Sequence, residues 1–194
     1  MESRLPNGFL SSGLSAGIKE EKNRKDLGLL ICEKEAILGG VYTQNRFPSA
    51  HVQYCKPLTP SKGFRALIVN SGNANAATGS LGLENNRTIV SQVAEELGIP
   101  EDSVFTSSTG IIGQQLPIDI ISEAIPKLVG GLTNDGHDFA EAIMTTDIKV
   151  KSASAEVSFD DQTYLISGFA KGSGMIHPNM ATMLSYIVTD APLP

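Results

Sequence analysis

From residue 149 onward the sequence runs on a period of two. Val150, Ser152, Ser154 and Glu156 alternate with Lys151, Ala153, Ala155 and Val157, and Asp160-Asp161 then interrupts before a second run over 163–169. Side chains that alternate between two faces belong to strands, so this segment predicts a hairpin that turns at the two aspartates. Upstream the period is different. Ile89, Val90, Val93, Ala94 and Leu97 recur at steps of three and four within 84–97, and Gly98 and Pro100 follow as stop signals. A chain that carries both periods folds as α/β or α+β, with helices layered on sheet.

The remaining segments fit that class. Apolar runs at 27–32 and 36–42, joined by Glu33-Lys34-Glu35, predict a first hairpin. A β-type run at 66–69 enters Asn70-Ser71-Gly72-Asn73-Ala74-Asn75-Ala76-Ala77-Thr78-Gly79, which is too poor in large apolar groups to read as core and predicts a loop or tight turn. A strand over 103–106 leads into Ser107-Ser108-Thr109-Gly110, and Pro117 opens a helix through Ile118, Ile121 and Ala124 that Pro126 should limit. Phe139, Ile143 and Met144 mark one face of a short helix ending at Thr145-Thr146-Asp147. The last β-run, 184–189, starts almost at Thr182 and is followed at once by Ala191-Pro192-Leu193-Pro194. Such a strand leaves a sheet edge seeking a partner, which predicts a piece of a longer polypeptide.

Composition narrows the partners. With 15 basic and 21 acidic residues the net charge is −6, and no clustered basic face offers itself to nucleic acid or an anionic membrane. The densest charge run, 19–26, mixes both signs and reads as a solvated loop. No apolar stretch approaches the roughly 18 residues of a membrane span, and residues 1–9 lack the regions of a secretory signal, so the expected location is the cytoplasm. Cys32 and Cys55 share no metal-ligand or redox spacing and read as small buried thiols. Three histidines, His51, His137 and His177, give little from which to assemble a metal site, so none is expected.

Three Gly/Asn/Thr-rich segments remain as candidate chemistry, at 70–79, 107–113 and 171–182. Taken singly, each reads first as turn formers and helix N-caps. The first lacks the Gly-Lys-Ser/Thr ending of a phosphate-binding loop, and none of the three contains the Gly-x-Ser-x-Gly pattern of a nucleophile elbow. In the second, the Thr109 hydroxyl and the unshielded Gly110 N–H could together stabilise an oxyanion, although composition favours a plain strand-to-helix turn. Lys171 could pair with a substrate carboxylate or simply be solvated. His177 reads as an ordinary loop histidine.

Order and content together carry more than any one loop. Lys171-Gly172-Ser173-Gly174-Met175-Ile176-His177-Pro178-Asn179-Met180-Ala181-Thr182-Met183-Leu184 closely resembles the self-cleavage region of the ornithine acetyltransferases, also called glutamate N-acetyltransferases, of arginine biosynthesis. The 70–79 segment, Ser107-Ser108-Thr109-Gly110-Ile111-Ile112-Gly113 and Thr145-Thr146-Asp147 resemble further hallmarks of that family, in the expected order. The resemblance implies a layered αββα sandwich made of an α chain, here 1–181 as a single domain, and a β chain that begins at Thr182. It also implies assembly of two αβ units into an α2β2 heterotetramer, and no resident cofactor.

By the same resemblance the precursor cuts itself between Ala181 and Thr182. Thr182 Oγ attacks the Ala181 carbonyl, the acyl group shifts from nitrogen to oxygen, and hydrolysis frees the threonine α-amine. With an ordinary pKa of about 7.7 to 8.0, that amine is a usable base near neutral pH, so no separate triad is required. Thr182 then takes acetyl from N-acetylornithine and passes it to glutamate; some members also use acetyl-CoA as a co-substrate. Thr109 and Gly110 match the oxyanion pair, and Lys171, Thr145 and Thr182 match substrate-contacting positions, with Thr146 as the neighbour of Thr145. The family's catalytic glutamate lies in the β portion. Two other readings stand beside this one: a self-processing amidase or aminopeptidase with water as acceptor, and a non-catalytic relative that binds an amino acid.

Overall fold

The computed structural model describes residues 3–172 and 182–192. Two sheets organise it. The first has four strands in the order β1 (Phe9–Leu14), β2 (Leu27–Leu38), β3 (Ser61–Asn73) and β4 (Val104–Ile111). Its first three strands run antiparallel and β3 pairs β4 in parallel. The second sheet is the antiparallel set β5 (Lys151–Phe159), β6 (Gln162–Lys171) and β7 (Leu184–Thr189). Helices α1 (Ala50–Cys55), α2 (Gly79–Leu97), α3 (Ile118–Gly130) and α4 (His137–Ala142) fill the connections.

Alternation along β3 explains the layering. Ala66 and Ile68 face α2 and α3, joining a core of Leu27, Leu29, Val90, Val93, Val104, Ile121, Ile125 and Leu128. Leu67 and Val69 face the other way, into a second core with Leu30, Phe105, Phe139, Ile143 and Phe169. A strand buried on both faces cannot show polar alternation, which is why this stretch is continuously apolar in sequence. In the second core the Phe139 ring meets Phe169 edge-on at 5.5 Å and Tyr186 at 5.7 Å, so α4 links the two sheets through aromatic contacts.

The mixed α/β expectation holds, and so does the later hairpin. β5 and β6 pair from Lys151 with Ala170 to Phe159 with Gln162, and Asp160 and Asp161 take φ of 49° and 58°, as a two-residue hairpin turn requires. Helix α2 ends at Leu97 with Gly98 as its left-handed cap, as read, but starts at Gly79. Cys32 and Cys55 are both buried and unpaired. Among the described residues no helix covers the outer face of the second sheet, where Ile187 is 74% exposed.

Four expectations are corrected. Residues 27–38 form one strand, not two strands of a hairpin; Glu33, Lys34 and Glu35 lie exposed within it, where the pairing with β3 shifts register between Ile31 and Ala36. Pro126 lies inside α3, which runs on to Gly130; burial of Ile121, Ala124, Ile125 and Leu128 in the core outweighs the one hydrogen bond that proline removes. Residues 70–73 continue β3 rather than opening a loop, and their polar side chains are buried because each has a hydrogen-bond partner, Asn70 in the Asn73 carbonyl, Ser71 in the Ala142 carbonyl and Asn73 in those of Gln114 and Gln115. Finally, 19–26 is not simply solvated: Asp26 is wholly buried, and Lys19 is half-buried.

Candidate active site

The parallel pairing of β3 and β4 brings Ser71 opposite Thr109 and Gly72 opposite Gly110. Gly110 takes φ of +137°, and a Cβ there would collide with the Gly72 and Asn73 backbone; only glycine fits this close approach. The asparagine-rich segment fastens the strand ends. Asn73 Nδ2 donates to the carbonyls of Gln114 and Gln115 at 3.2 and 3.1 Å, and its Oδ1 accepts the Asn75 N–H at 2.8 Å. Asn75 Nδ2 donates to the Gly82 carbonyl at 3.0 Å, while the Thr78 hydroxyl donates to Asn75 Oδ1 at 2.8 Å. The 70–79 segment is thus a hydrogen-bonded brace that holds the 109–115 turn.

Strand alternation delivers the lysine. Leu165, Ser167, Phe169 and Lys171 are the buried positions of β6, so Lys171 continues the inner face of the sheet and is 3% exposed. Its Nζ donates to Thr109 Oγ1 at 2.9 Å and to the Thr182 carbonyl at 3.2 Å. An ammonium can only donate. Thr109 Oγ1 therefore accepts from Lys171, and its own proton is free to donate elsewhere, as an oxyanion donor requires. Thr182 Oγ1 is buried and has no hydrogen-bond partner among the described residues.

A cleft of about 1170 Å³ encloses this centre, and Thr109, Gly110, Thr145, Thr146, Lys171 and Thr182 all line it. Every described residue singled out from the sequence for catalysis or substrate contact therefore reaches one cavity. Ala181 and His177 lie outside the described residues. His51 is elsewhere, buried and pulled down to about 4 by desolvation, and His137 sits on the surface 3.5 Å from Glu141.

Charged residues that the sequence reading left unassigned complete the cleft. Asp26 accepts backbone N–H groups from Ala16 at 2.7 Å, Gly17 at 3.1 Å, Ile18 at 2.7 Å and Lys19 at 3.0 Å. That nest folds the 15–26 loop over the site. Lys19 Nζ then donates to the Met144 carbonyl at 2.7 Å, and Arg24 Nη2 to the Thr145 carbonyl at 2.8 Å. Burial, with Arg24 adding, pulls the Lys19 ammonium down to about 8. Burial likewise lowers the Lys171 ammonium, opposed by Asp147 and reinforced by Lys151. Asp147 pairs with Lys151 and accepts the Gly172 N–H at 3.1 Å. Burial pushes its carboxyl up, but these contacts prevail and hold it below its ordinary value. The only sequence signal for Asp147 was its place at the end of Thr145-Thr146-Asp147; nothing in the 19–26 charge run marked Asp26 as the buried member.

The chain is 47% identical over 188 residues to the arginine biosynthesis bifunctional protein ArgJ of Bacillus thuringiensis subsp. konkukian, covering 96% of this chain and 46% of that protein. It spans about half the length of the curated relatives it matches. Among solved structures, the ArgJ protein of Bacillus halodurans superposes with a TM-score of 0.81 at 38% identity, over 92% of each chain. The ornithine acetyltransferase of Mycobacterium tuberculosis, solved with ornithine, gives 0.79 at 30%, over 92% of this chain and 96% of that one. An Ochrobactrum anthropi aminopeptidase of the Ntn-hydrolase fold shares the fold alone, with a TM-score of 0.51 at 9% identity. The ArgJ family profile matches residues 10–194, and the chain belongs to the ArgJ family.

Proposed function

We propose that this chain carries the oxyanion donors, the substrate-binding lysine and the nucleophile of a self-cleaving acetyltransferase of arginine biosynthesis. The observation that carries this reading is the Lys171 ammonium held between Thr109 Oγ1 and the Thr182 carbonyl. One buried cation ties the candidate nucleophile residue to the candidate oxyanion donor inside a single cleft.

In the first reaction Thr182 Oγ attacks the Ala181 carbonyl. The Ala181–Thr182 amide breaks, an ester forms on Oγ, and water hydrolyses the ester to leave a free α-amine on Thr182. Residues 1–181 are then an α chain and 182–194 the start of a β chain. Coverage supports the division: a sequence matching 46% of a curated relative matches 92% and 96% of two solved chains.

In the second reaction the α-amine takes the Thr182 hydroxyl proton as Oγ attacks the acetyl carbonyl of N-acetylornithine. The developing oxyanion accepts from the Thr109 hydroxyl and the Gly110 N–H. The amide C–N bond breaks, ornithine leaves with the proton, and the amine of glutamate attacks the acetyl-threonine ester to release N-acetylglutamate. Lys171 and Thr145 contact the amino-acid substrate, where the lysine is a suitable partner for a carboxylate. Acetyl-CoA as an alternative donor, an α2β2 assembly and a cytoplasmic location complete the proposal. Among the described residues no helix is long and apolar enough to cross a membrane.

The test is intact mass and N-terminal sequencing of protein from the complete reading frame, followed by assay of N-acetylornithine with glutamate. Two chains, the second beginning at Thr182, and ping-pong transfer are expected. Acetate release without need of glutamate would replace the transferase by a hydrolase. Thr109→Ala should lower the transfer kcat by about 10²- to 10³-fold, the usual effect of losing one oxyanion donor. A wild-type rate would remove Thr109 from that role.

A further inference from the structure

Asp147 carries a charged side chain into a site with little access to water. Its side chain is 4% exposed and lies in the wall of the cleft. One carboxylate oxygen accepts the Gly172 N–H and pairs with the Lys151 ammonium. The other is buried with no hydrogen-bond partner among the described residues. A carboxylate buried at this depth costs several kcal/mol unless charges around it compensate. The compensating groups are Lys151 and, one residue before Gly172, Lys171.

Gly172 itself cannot drift far. It takes φ of +88°, and a Cβ there would strike the Thr182 carbonyl. The Asp147 contact with its N–H therefore fixes the backbone next to Lys171 and against Thr182.

We propose that Asp147 is a positioning residue of the active site: it pins Gly172, and with it Lys171, against Thr109 and Thr182, and supplies the negative charge that lets the Lys151 and Lys171 ammonium groups share one cleft. The proposal rests on the transferase reading for its kinetic consequences; the contacts of Asp147 with the Gly172 N–H and the Lys151 ammonium are independent of that reading. The charged groups that act on Lys171 are Asp147, Lys151 and Lys19. Asp147 alone among them favours the ammonium form. Without it Lys171 loses its proton at lower pH, and the neutral amine, though it keeps two N–H donors, holds the Thr109 hydroxyl and the Thr182 carbonyl more weakly than the ammonium does.

The experiment compares wild type, Asp147→Asn and Asp147→Glu in the full-length protein with two readouts. The first is the titration of the Lys171 ε-carbon by NMR with labelled lysine, assigned by Lys171→Arg; it needs no enzymatic activity. The second is the rate at which a new N-terminal threonine appears, as a function of pH. Asp147→Asn keeps an oxygen for the Gly172 N–H but removes the charge. It should move the Lys171 midpoint down and slow cleavage by about tenfold to a hundredfold, with the deficit growing as pH rises. Asp147→Glu should recover part of both.

A folded Asp147→Asn protein with an unchanged Lys171 midpoint would overturn the proposal, as would a rate loss equal at every pH. Should that variant not fold, Lys151→Met removes the competing ammonium and must move the Lys171 midpoint up; no movement would be equally decisive against it. A wild-type protein that never cuts would refute the transferase reading, while the titration would still decide the role of Asp147.

Discussion

Thr182→Ala is expected to leave the full-length protein as a single uncut chain with no measurable acetyl transfer. One hydroxyl serves both reactions: it attacks the Ala181 carbonyl in the precursor and the acetyl carbonyl in the mature enzyme. No neighbouring group can substitute. Lys171 is engaged with Thr109 and the Thr182 carbonyl, and Thr109 is held in β4 of the other sheet as an acceptor from that lysine. Covalent catalysis lost at the nucleophile is lost almost entirely, because the remaining oxyanion donors have no tetrahedral intermediate to stabilise. Thr182→Ser keeps the hydroxyl and should still cut. Electrophoresis and intact mass decide the matter, and cleavage at the same bond in Thr182→Ala would remove Thr182 from the mechanism.

Asp26→Ala should produce the largest loss of stability among substitutions outside the core. The aspartate is fully buried and satisfies four backbone N–H groups, of Ala16, Gly17, Ile18 and Lys19. Its own backbone also joins the first sheet, donating to the Leu14 carbonyl at 3.0 Å and accepting from the Ser71 N–H at 2.8 Å. Removing the carboxylate strands those four donors, and stranded buried donors cost about 1–3 kcal/mol each before relaxation. Because the loop can reopen to water, a net loss of about 3 kcal/mol is expected, or about 10 °C in Tm for a chain of this size. Thermal unfolding of the full-length protein measures it. Activity should fall further than stability alone explains, since Lys19 and Arg24 would no longer reach the Met144 and Thr145 carbonyls. A change within about 0.5 kcal/mol, the range of ordinary surface substitutions, would show that the nest contributes little.

Periodic segments were legible because their physics is local. The β5–β6 hairpin needed only alternation and two residues able to turn, and α2 needed only apolar steps of three and four ahead of Gly98. Where reading failed, tertiary contacts overrode the local signal. Glu33-Lys34-Glu35 resembles a turn, yet β2 carries those charges on an exposed stretch while its register shifts past them. Pro126 resembles a helix stop, yet core packing carries α3 through it. Residues 70–73 resemble a loop because polar groups usually face water, yet they finish β3, with Asn70 bonded to the Asn73 carbonyl and Asn73 to Gln114 and Gln115; the expected loop is confined to 74–78.

The candidate site shows the same division. Thr109, Gly110, Thr145, Lys171 and Thr182 were reached through resemblance, and composition alone favoured plain turns and a solvated lysine for them. Asp26 and Asp147 were not reached, since a carboxylate in a mixed charge run or at a helix end carries no local mark of burial.

By itself, then, the sequence determined the mixture of strands and helices, the later hairpin, the family and the candidate nucleophile, all of which depend on period or on contiguous residues. Only the tertiary structure decided that Lys171 donates to Thr109 and Thr182 rather than to water, that the asparagine-rich segment is a brace, that Asp26 lies buried beneath its loop and that Asp147 lies in the cleft wall. Those outcomes depend on desolvation and on hydrogen-bond partners up to 62 residues apart in the chain, and such distances exist only once the two sheets have packed.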